Sequence, residues 1–128
     1  MENPIKVSVV GASGRMGRML LKAVTENEGT VLVGVTEEAD HKWIGQDVGK
    51  LALGKDNGIF VSNQPHEVIL QSQVIIDFTK PDVSLRYSAL AAQAGIVHVI
   101  GTTGFLKTQL EEIKLAAQHA TIIRAGNM

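Results

Sequence analysis

Three glycines spaced three residues apart follow the first apolar run of this chain, and they constrain its fold more than any other feature. The run at 5–10 stops at Gly11, and an amphipathic helical pattern starts after Gly14 and continues through Gly17. Gly11 can take a tight turn, Gly14 lets the backbone approach a ligand, and Gly17 lets the helix lie close to the strand. The start of that helix presents unpaired N–H groups and the positive end of a dipole, which bind phosphate. The motif predicts a pyrophosphate-binding turn, although glycine triplets also occur in ordinary turns.

Two further features support a dinucleotide site. After the glycines, apolar residues recur at the spacing of one helical face: Met16, Met19, Leu20, Ala23 and Val24. A second apolar run, at 31–35, is followed by Glu37. A carboxylate at the end of the second strand can accept hydrogen bonds from ribose hydroxyls.

Length and composition indicate one domain and exclude several classes of protein. The 128 residues allow a single core, so we expect one domain over 1–128. A net charge of −1 provides no basic surface for nucleic acid or anionic lipid, and we expect neither as a partner. The chain has no cysteine, which excludes disulfides and thiolate metal sites. We find no signal-like segment and no apolar run of membrane length, and we therefore expect a cytoplasmic protein.

Apolar runs alternate with helical patterns along the whole sequence. Six runs predict strands, at 5–10, 31–35, 59–61, 74–77, 97–100 and 121–124. Helices are predicted at 16–27, 65–71, 82–94 and 107–118. This alternation predicts an α/β fold with a doubly wound parallel sheet of the Rossmann type, whose ligand crevice lies at the carboxyl ends of the strands. The polar, glycine-containing segment 36–58 is predicted to be a mobile loop over the adenosine side.

Two more loops follow predicted strands and carry groups suited to binding. Phe78 and Thr79 follow the fourth strand, and Thr102 and Thr103 follow the fifth, beside Gly101. Glycine permits close approach of the backbone, and threonines supply hydroxyl and N–H groups for a carboxamide or a carboxylate. Each loop alone could equally be an ordinary turn with threonines at helix caps. Their position at the same edge of the sheet favours a binding site.

Five motifs together resemble a known family. They are Gly11-Ala12-Ser13-Gly14-Arg15-Met16-Gly17-Arg18, Gly45-x-Asp47-x-Gly49, Asp77-Phe78-Thr79-Lys80-Pro81, Gly101-Thr102-Thr103-Gly104-Phe105 and Ala125-Gly126-Asn127-Met128. Their order and spacing, from one end of the chain to the other, resemble those of the dihydrodipicolinate reductases, also called 4-hydroxy-tetrahydrodipicolinate reductases. The resemblance implies an oxidoreductase that uses NADH or NADPH to reduce a cyclic dicarboxylate in the diaminopimelate route of lysine biosynthesis.

The resemblance also implies which residues bind the coenzyme. The pyrophosphate would contact Gly11, Ala12, Ser13, Gly14, Arg15 and Met16, and the adenine ribose would contact Glu37. The nicotinamide would be bordered by Gly101, Thr102, Thr103, Ala125, Gly126, Asn127 and Met128, with Phe78 and Thr79 close by. Thr103 would also contact a carboxylate of the substrate. The alternative for Arg15 is a solvated side chain, although a first-turn arginine opposes the helix dipole unless an anion is present.

The residue after Glu37 departs from the family pattern. Many family members that use NADPH well have an arginine there, whereas this chain has Glu38, which would repel a 2′-phosphate. We therefore expect NADH to be preferred, with His41 and Lys42 restoring some affinity for NADPH.

The second departure is that the catalytic segment of the family is absent from this sequence. In the family that segment has paired histidines, a lysine and a Ser-Gly-Thr turn, and it belongs to a second domain beyond the position of Met128. For the histidines present we expect structural or surface roles and no catalysis or metal binding: His41, His66, His98 and His119. Asp77 is more readily a loop brace or helix cap than a base. We expect the NAD(P)H-binding half of a reductase, which binds coenzyme without turnover. The family forms its homotetramer through the second domain, so the chain alone can be a monomer.

Other classes of protein are less consistent with the sequence. A short-chain dehydrogenase or epimerase needs a lysine four residues after its tyrosine, but Tyr87 is followed at that spacing by Ala91. A nucleoside-triphosphate site needs Gly-Lys-Ser/Thr after the glycines, which this chain lacks. A stand-alone NAD(H)-binding module that senses redox state or regulates a partner stays open, because a fold and a cofactor site do not by themselves imply a reaction.

Overall fold

Strands and helices alternate along the chain, as the apolar runs predict. The computed structural model describes residues 3–124. In chain order the elements are β1 (Ile5–Val10), α1 (Arg15–Glu26), β2 (Thr30–Thr36), α2 (Val48–Ala52), α3 (Pro65–Gln71), β3 (Val74–Asp77), α4 (Pro81–Ala94), β4 (Val97–Ile100), α5 (Lys107–Ala116) and β5 (Ile122–Arg124). Among these helices, none combines the length and the apolar character that a membrane crossing requires.

The strands of the described residues form one sheet in the order β2-β1-β3-β4-β5. Every neighbouring pair is parallel. From β1 the chain first moves outward to β2 and then crosses to β3 on the other side of β1, so the order reverses at β1. The carboxyl ends of β1 and β3 therefore form the crevice expected at such a reversal. The prediction of a doubly wound α/β fold of the Rossmann type is confirmed, with five strands in the described residues.

Residues 59–61, predicted as a further strand, form no named strand. Phe60 instead makes an isolated antiparallel bridge to Asp47, and Val61 exchanges main-chain hydrogen bonds with the same segment before α2. Because these bonds satisfy the backbone locally, only Ser62 pairs in parallel with the end of β2. That single bridge lies where a sixth strand would extend the sheet.

Apolar clusters cover both faces of the sheet. Alternate residues of a strand point to opposite faces, so Val9 and Val10 belong to different clusters. The cluster with Val9 is formed by buried residues of α1, β2 and the segment 43–61, including Leu21, Val35, Trp43 and Val48. The cluster with Val10 joins β3, α3 and α4 through Ile75, Ile69, Tyr87 and Ala91. Helices on both faces leave the carboxyl edge of the sheet as the place for a ligand.

The segment 36–58 is more ordered in its contacts than the predicted loop. Trp43 and Val48 are buried, and α2 begins after Asp47. The Asp47 carboxylate accepts a main-chain N–H from the first turn of α2, Gly49 at 2.8 Å, and one from the segment after the helix, Gly58 at 2.9 Å. Desolvation acts to raise the pKa of Asp47, but these backbone donors outweigh it and hold the pKa below its usual value. Of this segment only residues within 36–41 line the crevice, so a loop over the adenosine side stays a prediction for that part.

Candidate functional site

A crevice of about 930 Å³ lies at the carboxyl ends of β1, β2 and β3. Its volume lies within the range of small-molecule and cofactor pockets. It contains six of the predicted binding residues, namely Gly11, Ser13, Gly14, Glu37, Phe78 and Thr79. The structure therefore brings together the glycine turn, the carboxylate after β2 and the loop after β3.

The three glycines differ in what surrounds them. Gly11 has a φ of +74°, a left-handed conformation that L side chains rarely adopt. A Cβ on Gly17 would lie 2.5 Å from the carbonyl oxygen of Ala12, so α1 packs directly on the turn. A Cβ on Gly14 would meet no protein atom within 4 Å. Because Gly14 also lines the crevice, the space beside its backbone is open to a ligand.

The start of α1 is suited to an anion. Gly14 is the N-cap residue, no side chain caps the helix, and no acidic residue lies in its first turn. The N-terminus of a helix carries partial positive charge. The first turn begins with the exposed Arg15, whose positive charge adds to the partial charge of the helix dipole.

Glu37 is held directly against the glycine turn. The N–H of Ser13 donates a hydrogen bond to Oε2 of Glu37 at 2.6 Å. The N–H of Glu37 in turn donates to the carbonyl of Ser62 at 3.1 Å. Within residues 3–124, Oε1 of this carboxylate accepts no hydrogen bond. The carboxylate is thus fixed in place with one oxygen available to a ribose hydroxyl.

Charged side chains line the rim of the crevice near Glu37. Nζ of Lys80 lies 2.9 Å from Oε1 of Glu38, and both side chains are largely exposed. This hydrogen bond and the charge of Lys80 hold the pKa of Glu38 below its usual value, and His41 and Arg86 act in the same direction. Glu38 follows β2 and Lys80 precedes α4, so the ion pair connects two sides of the crevice.

One face of α4 forms a wall of the crevice that sequence analysis did not identify. Val83, Arg86, Tyr87 and Leu90 occur at helical spacing and line it. The Tyr87 hydroxyl shares a hydrogen bond of 2.9 Å with the hydroxyl of Thr36, and burial raises the pKa of Tyr87. The helical spacing of these α4 residues is visible in the sequence. Which face of α4 turns toward the crevice depends on the order of the strands, and the sequence does not determine that order. His41 and His66 also line the crevice, and their roles there stay predictions.

The loops after β3 and β4 meet through Asp77. Its Oδ1 accepts hydrogen bonds from the N–H of Thr79 at 3.0 Å and from the hydroxyl of Thr102 at 3.2 Å. The Thr102 hydroxyl also accepts from the N–H of Thr79 and from the hydroxyl of Ser84. All hydrogen-bonding positions of that hydroxyl are therefore used inside the protein. The Asp77 carboxylate thus braces both loops, as predicted. That Thr102 borders the nicotinamide stays a prediction, for which its main chain is available and its hydroxyl is already engaged.

The family model for the N-terminal part of dihydrodipicolinate reductase matches residues 5–128. This chain belongs to the dihydrodipicolinate reductase family.

Individual relatives agree with the family assignment. The 4-hydroxy-tetrahydrodipicolinate reductase of Ruegeria pomeroyi is 49% identical over 95% of this chain, which is 45% of its own length. The dipicolinate-bound dihydrodipicolinate reductase of Paenisporosarcina sp. TG-14 has a TM-score of 0.76 and 26% identity, and the match covers 98% of this chain and 48% of that one. Aspartate semialdehyde dehydrogenase of Candida albicans, solved with NADP, shares the fold alone, with a TM-score of 0.69, 15% identity and coverage of 98% and 43%. The chain spans about half the length of the reductases that it matches.

The remaining predicted coenzyme-binding residues lie in three different settings. Ala12 is fully buried and does not line the crevice. Arg15, Met16 and the residues 101–103 lie at the carboxyl edge but do not line the crevice. The predicted nicotinamide-binding residues Ala125, Gly126, Asn127 and Met128 lie outside the described part of the chain.

Proposed function

We propose that this chain is the coenzyme-binding part of a 4-hydroxy-tetrahydrodipicolinate reductase. The observation that carries the proposal is the match of nearly the whole chain, at 49% identity, to a relative with that name. The crevice supports it, because the glycine turn and Glu37 meet there as a dinucleotide site requires. We assign the proton donor to the half of the relatives that this chain does not match. We also propose that the whole reductase is cytoplasmic and forms a homotetramer.

The residues present fit a nicotinamide dinucleotide. A Cβ at Gly14 would fill the open space beside the start of α1, which is where a pyrophosphate needs to approach main-chain N–H groups. Oε1 of Glu37 would accept a hydrogen bond from the adenine ribose. When bound, the coenzyme supplies a hydride to the substrate ring. The task of this chain is to bind and orient it, with Phe78 and Thr79 as one wall of the site.

The substrate side of the proposal rests on Thr103. The Paenisporosarcina reductase is described as dipicolinate-bound, and dipicolinate is a cyclic dicarboxylate. Thr103 is exposed at the end of β4, whereas Thr102 is buried. We therefore propose that Thr103 contacts a substrate carboxylate through its hydroxyl or N–H group.

Calorimetric titration of the chain with NADH tests the proposed function. We expect saturable binding to one site and no reduction of substrate by this chain alone. ADP-ribose, which lacks the nicotinamide, should compete for the same site. The absence of saturable binding of both ligands would contradict the proposal.

We also propose that NADH is preferred over NADPH because of Glu38. The ion pair with Lys80 keeps Glu38 charged at neutral pH. An exposed ion pair contributes little free energy, so it does not cancel the charges of Glu38 and Lys80. A 2′-phosphate beside Glu37 would be repelled by Glu38, and Lys80 would offset part of that repulsion. We expect NADH to bind about fivefold more tightly at low salt, with a smaller ratio at high salt.

Replacing Glu38 tests this preference. Glu38→Gln removes the negative charge and frees Lys80, so NADPH should bind about fivefold more tightly while the affinity for NADH stays the same. Glu112→Gln, on α5 and away from the crevice, is the matched control and should change neither dissociation constant. Tighter binding of NADPH than of NADH by the original chain would show that the proposed preference is wrong.

A further inference from the structure

A buried chain of polar side chains lies beneath the two loops that follow β3 and β4. Asp77, Ser84 and His98 are fully buried, and Ser88 is 1% exposed. Nε2 of His98 lies 2.8 Å from Oδ2 of Asp77, and Nδ1 of His98 lies 3.1 Å from the hydroxyl of Ser88. His98 pairs with Ile75 on β3, which places it diagonally across from Asp77 on the same face of the sheet.

Ser88, His98 and Asp77 combine a serine, a histidine and an aspartate, but they cannot act on an external substrate. The Ser88 hydroxyl has no access to solvent that would admit one. An ionised carboxylate only accepts hydrogen bonds, so Nε2 of His98 carries the hydrogen in its bond to Asp77. That bond fixes the orientation of the ring and of Oδ2. The function of the group must therefore lie in what Asp77 holds.

The other oxygen of Asp77, Oδ1, accepts hydrogen bonds from both loops. Oδ1 accepts from the N–H of Thr79 at 3.0 Å, from the hydroxyl of Thr79 at 2.6 Å and from the hydroxyl of Thr102 at 3.2 Å. Ser84 on α4 donates to the Thr102 hydroxyl at 2.8 Å. Among the described residues no buried side-chain nitrogen or oxygen lacks a hydrogen-bond partner, so this network is fully satisfied. A satisfied buried network defines one geometry for the groups it connects.

The loops transmit that geometry to the crevice. A Cβ on Gly11 would lie 2.7 Å from Cγ2 of Thr79, so the Thr79 side chain packs against the phosphate-binding turn. The ring of Phe78 covers Gly101, where a Cβ would overlap it. Phe78 and Thr79 both line the crevice. A shift of Asp77 would therefore move one wall of the crevice and the start of the next loop together.

We propose that Asp77 and His98 are a positioning pair for the nicotinamide half of the coenzyme, with His98 acting through Asp77. The inference rests on the proposed function, because it concerns the same site. Replacing a buried polar pair by apolar side chains of the same shape can be nearly neutral for stability, which leaves the placement of the loops as the distinctive effect of this pair. The pair holds the Phe78–Thr79 wall and Thr102 in one arrangement before the coenzyme arrives, and such preorganisation lowers the cost of binding.

Substitutions of His98 separate positioning from simple stability. His98→Gln keeps a nitrogen donor near the position of Nε2, whereas His98→Leu removes it and leaves Oδ2 of Asp77 without a partner. We expect His98→Leu to weaken NADH binding about tenfold while changing ADP-ribose binding less than about twofold. His98→Gln should restore most of the NADH affinity. Calorimetry on the intact chain gives both dissociation constants, and circular dichroism shows whether each variant is folded.

A pair of serine variants provides the second measurement in case His98→Leu does not fold. Ser84→Ala removes one donor to Thr102 and should weaken NADH binding about threefold with ADP-ribose unchanged. Ser72→Ala removes a buried hydroxyl of the same kind, bonded to Ser8 at 2.6 Å and away from the two loops, and should change neither affinity. Equal losses for NADH and ADP-ribose, or wild-type NADH affinity in both His98→Leu and Ser84→Ala, would overturn the positioning role. A wild-type chain that binds neither ligand would overturn the proposed function as well.

Discussion

Replacing Gly14 with alanine is expected to weaken NADH binding by about 10- to 100-fold while the fold keeps its stability. The residue has φ −70° and ψ 171°, which alanine adopts without strain. The added Cβ would meet no protein atom within 4 Å. It would instead occupy the space that the pyrophosphate needs in order to reach the N–H groups at the start of α1. Each hydrogen bond to a charged group contributes about 1.5–3 kcal/mol, so the loss of one such bond accounts for this range.

The measurement is a calorimetric titration of Gly14→Ala with NADH, together with urea denaturation. We expect the free energy of unfolding to stay within about 1 kcal/mol of the original, because alanine is a poorer N-cap but also restricts the unfolded chain. Gly29→Ala, in the turn before β2, is a control outside the crevice. NADH affinity within twofold of wild type for Gly14→Ala would mean that the pyrophosphate does not lie against this turn.

The same substitution three residues later, Gly17→Ala, is expected to damage stability instead. Its Cβ would lie 2.5 Å from the carbonyl oxygen and 2.6 Å from the carbonyl carbon of Ala12. These are main-chain atoms of the turn, so α1 or the turn itself must move. Alanine favours a helix over glycine by about 1 kcal/mol, and we expect the overlap to exceed that gain. The net loss should be about 2–3 kcal/mol of unfolding free energy.

Urea denaturation measures this loss directly, and Gly14→Ala is its matched comparison. A lower midpoint with an unchanged slope would indicate a less stable native state of the same compactness. A Gly17→Ala chain that is as stable as wild type would contradict the close packing of α1 on the Ala12 turn. The two variants thus assign separate functions, ligand approach and helix packing, to neighbouring glycines of one motif.

Local patterns in the sequence predicted the parts of the site that depend on local chemistry. The turn from Gly11 to Gly17 and the carboxylate of Glu37 were predictable because strand, turn and helix signals are contiguous there. The parallel fold followed from alternating apolar runs. The structure adds that Glu37 is already bonded to the turn through Ser13.

Features that depend on distant partners were not predictable in this way. Residues 59–61 have the composition of a strand, but their backbone hydrogen bonds are taken by the segment before α2. Thr102 looks like a ligand-binding threonine in sequence, yet Asp77 and Ser84 use its hydroxyl completely. In both cases the competing partner is more than ten residues away, and only the fold brings the groups together.

A crystal structure of this chain with NADH tests the central claim most directly. We expect the pyrophosphate over the turn formed by Gly11, Ser13 and Gly14, and the adenine ribose within hydrogen-bond distance of Glu37. The adenosine should lie in the crevice between that carboxylate and the wall of α4. Coenzyme density bound elsewhere, or a pyrophosphate that makes no contact with the main chain at the start of α1, would contradict the account.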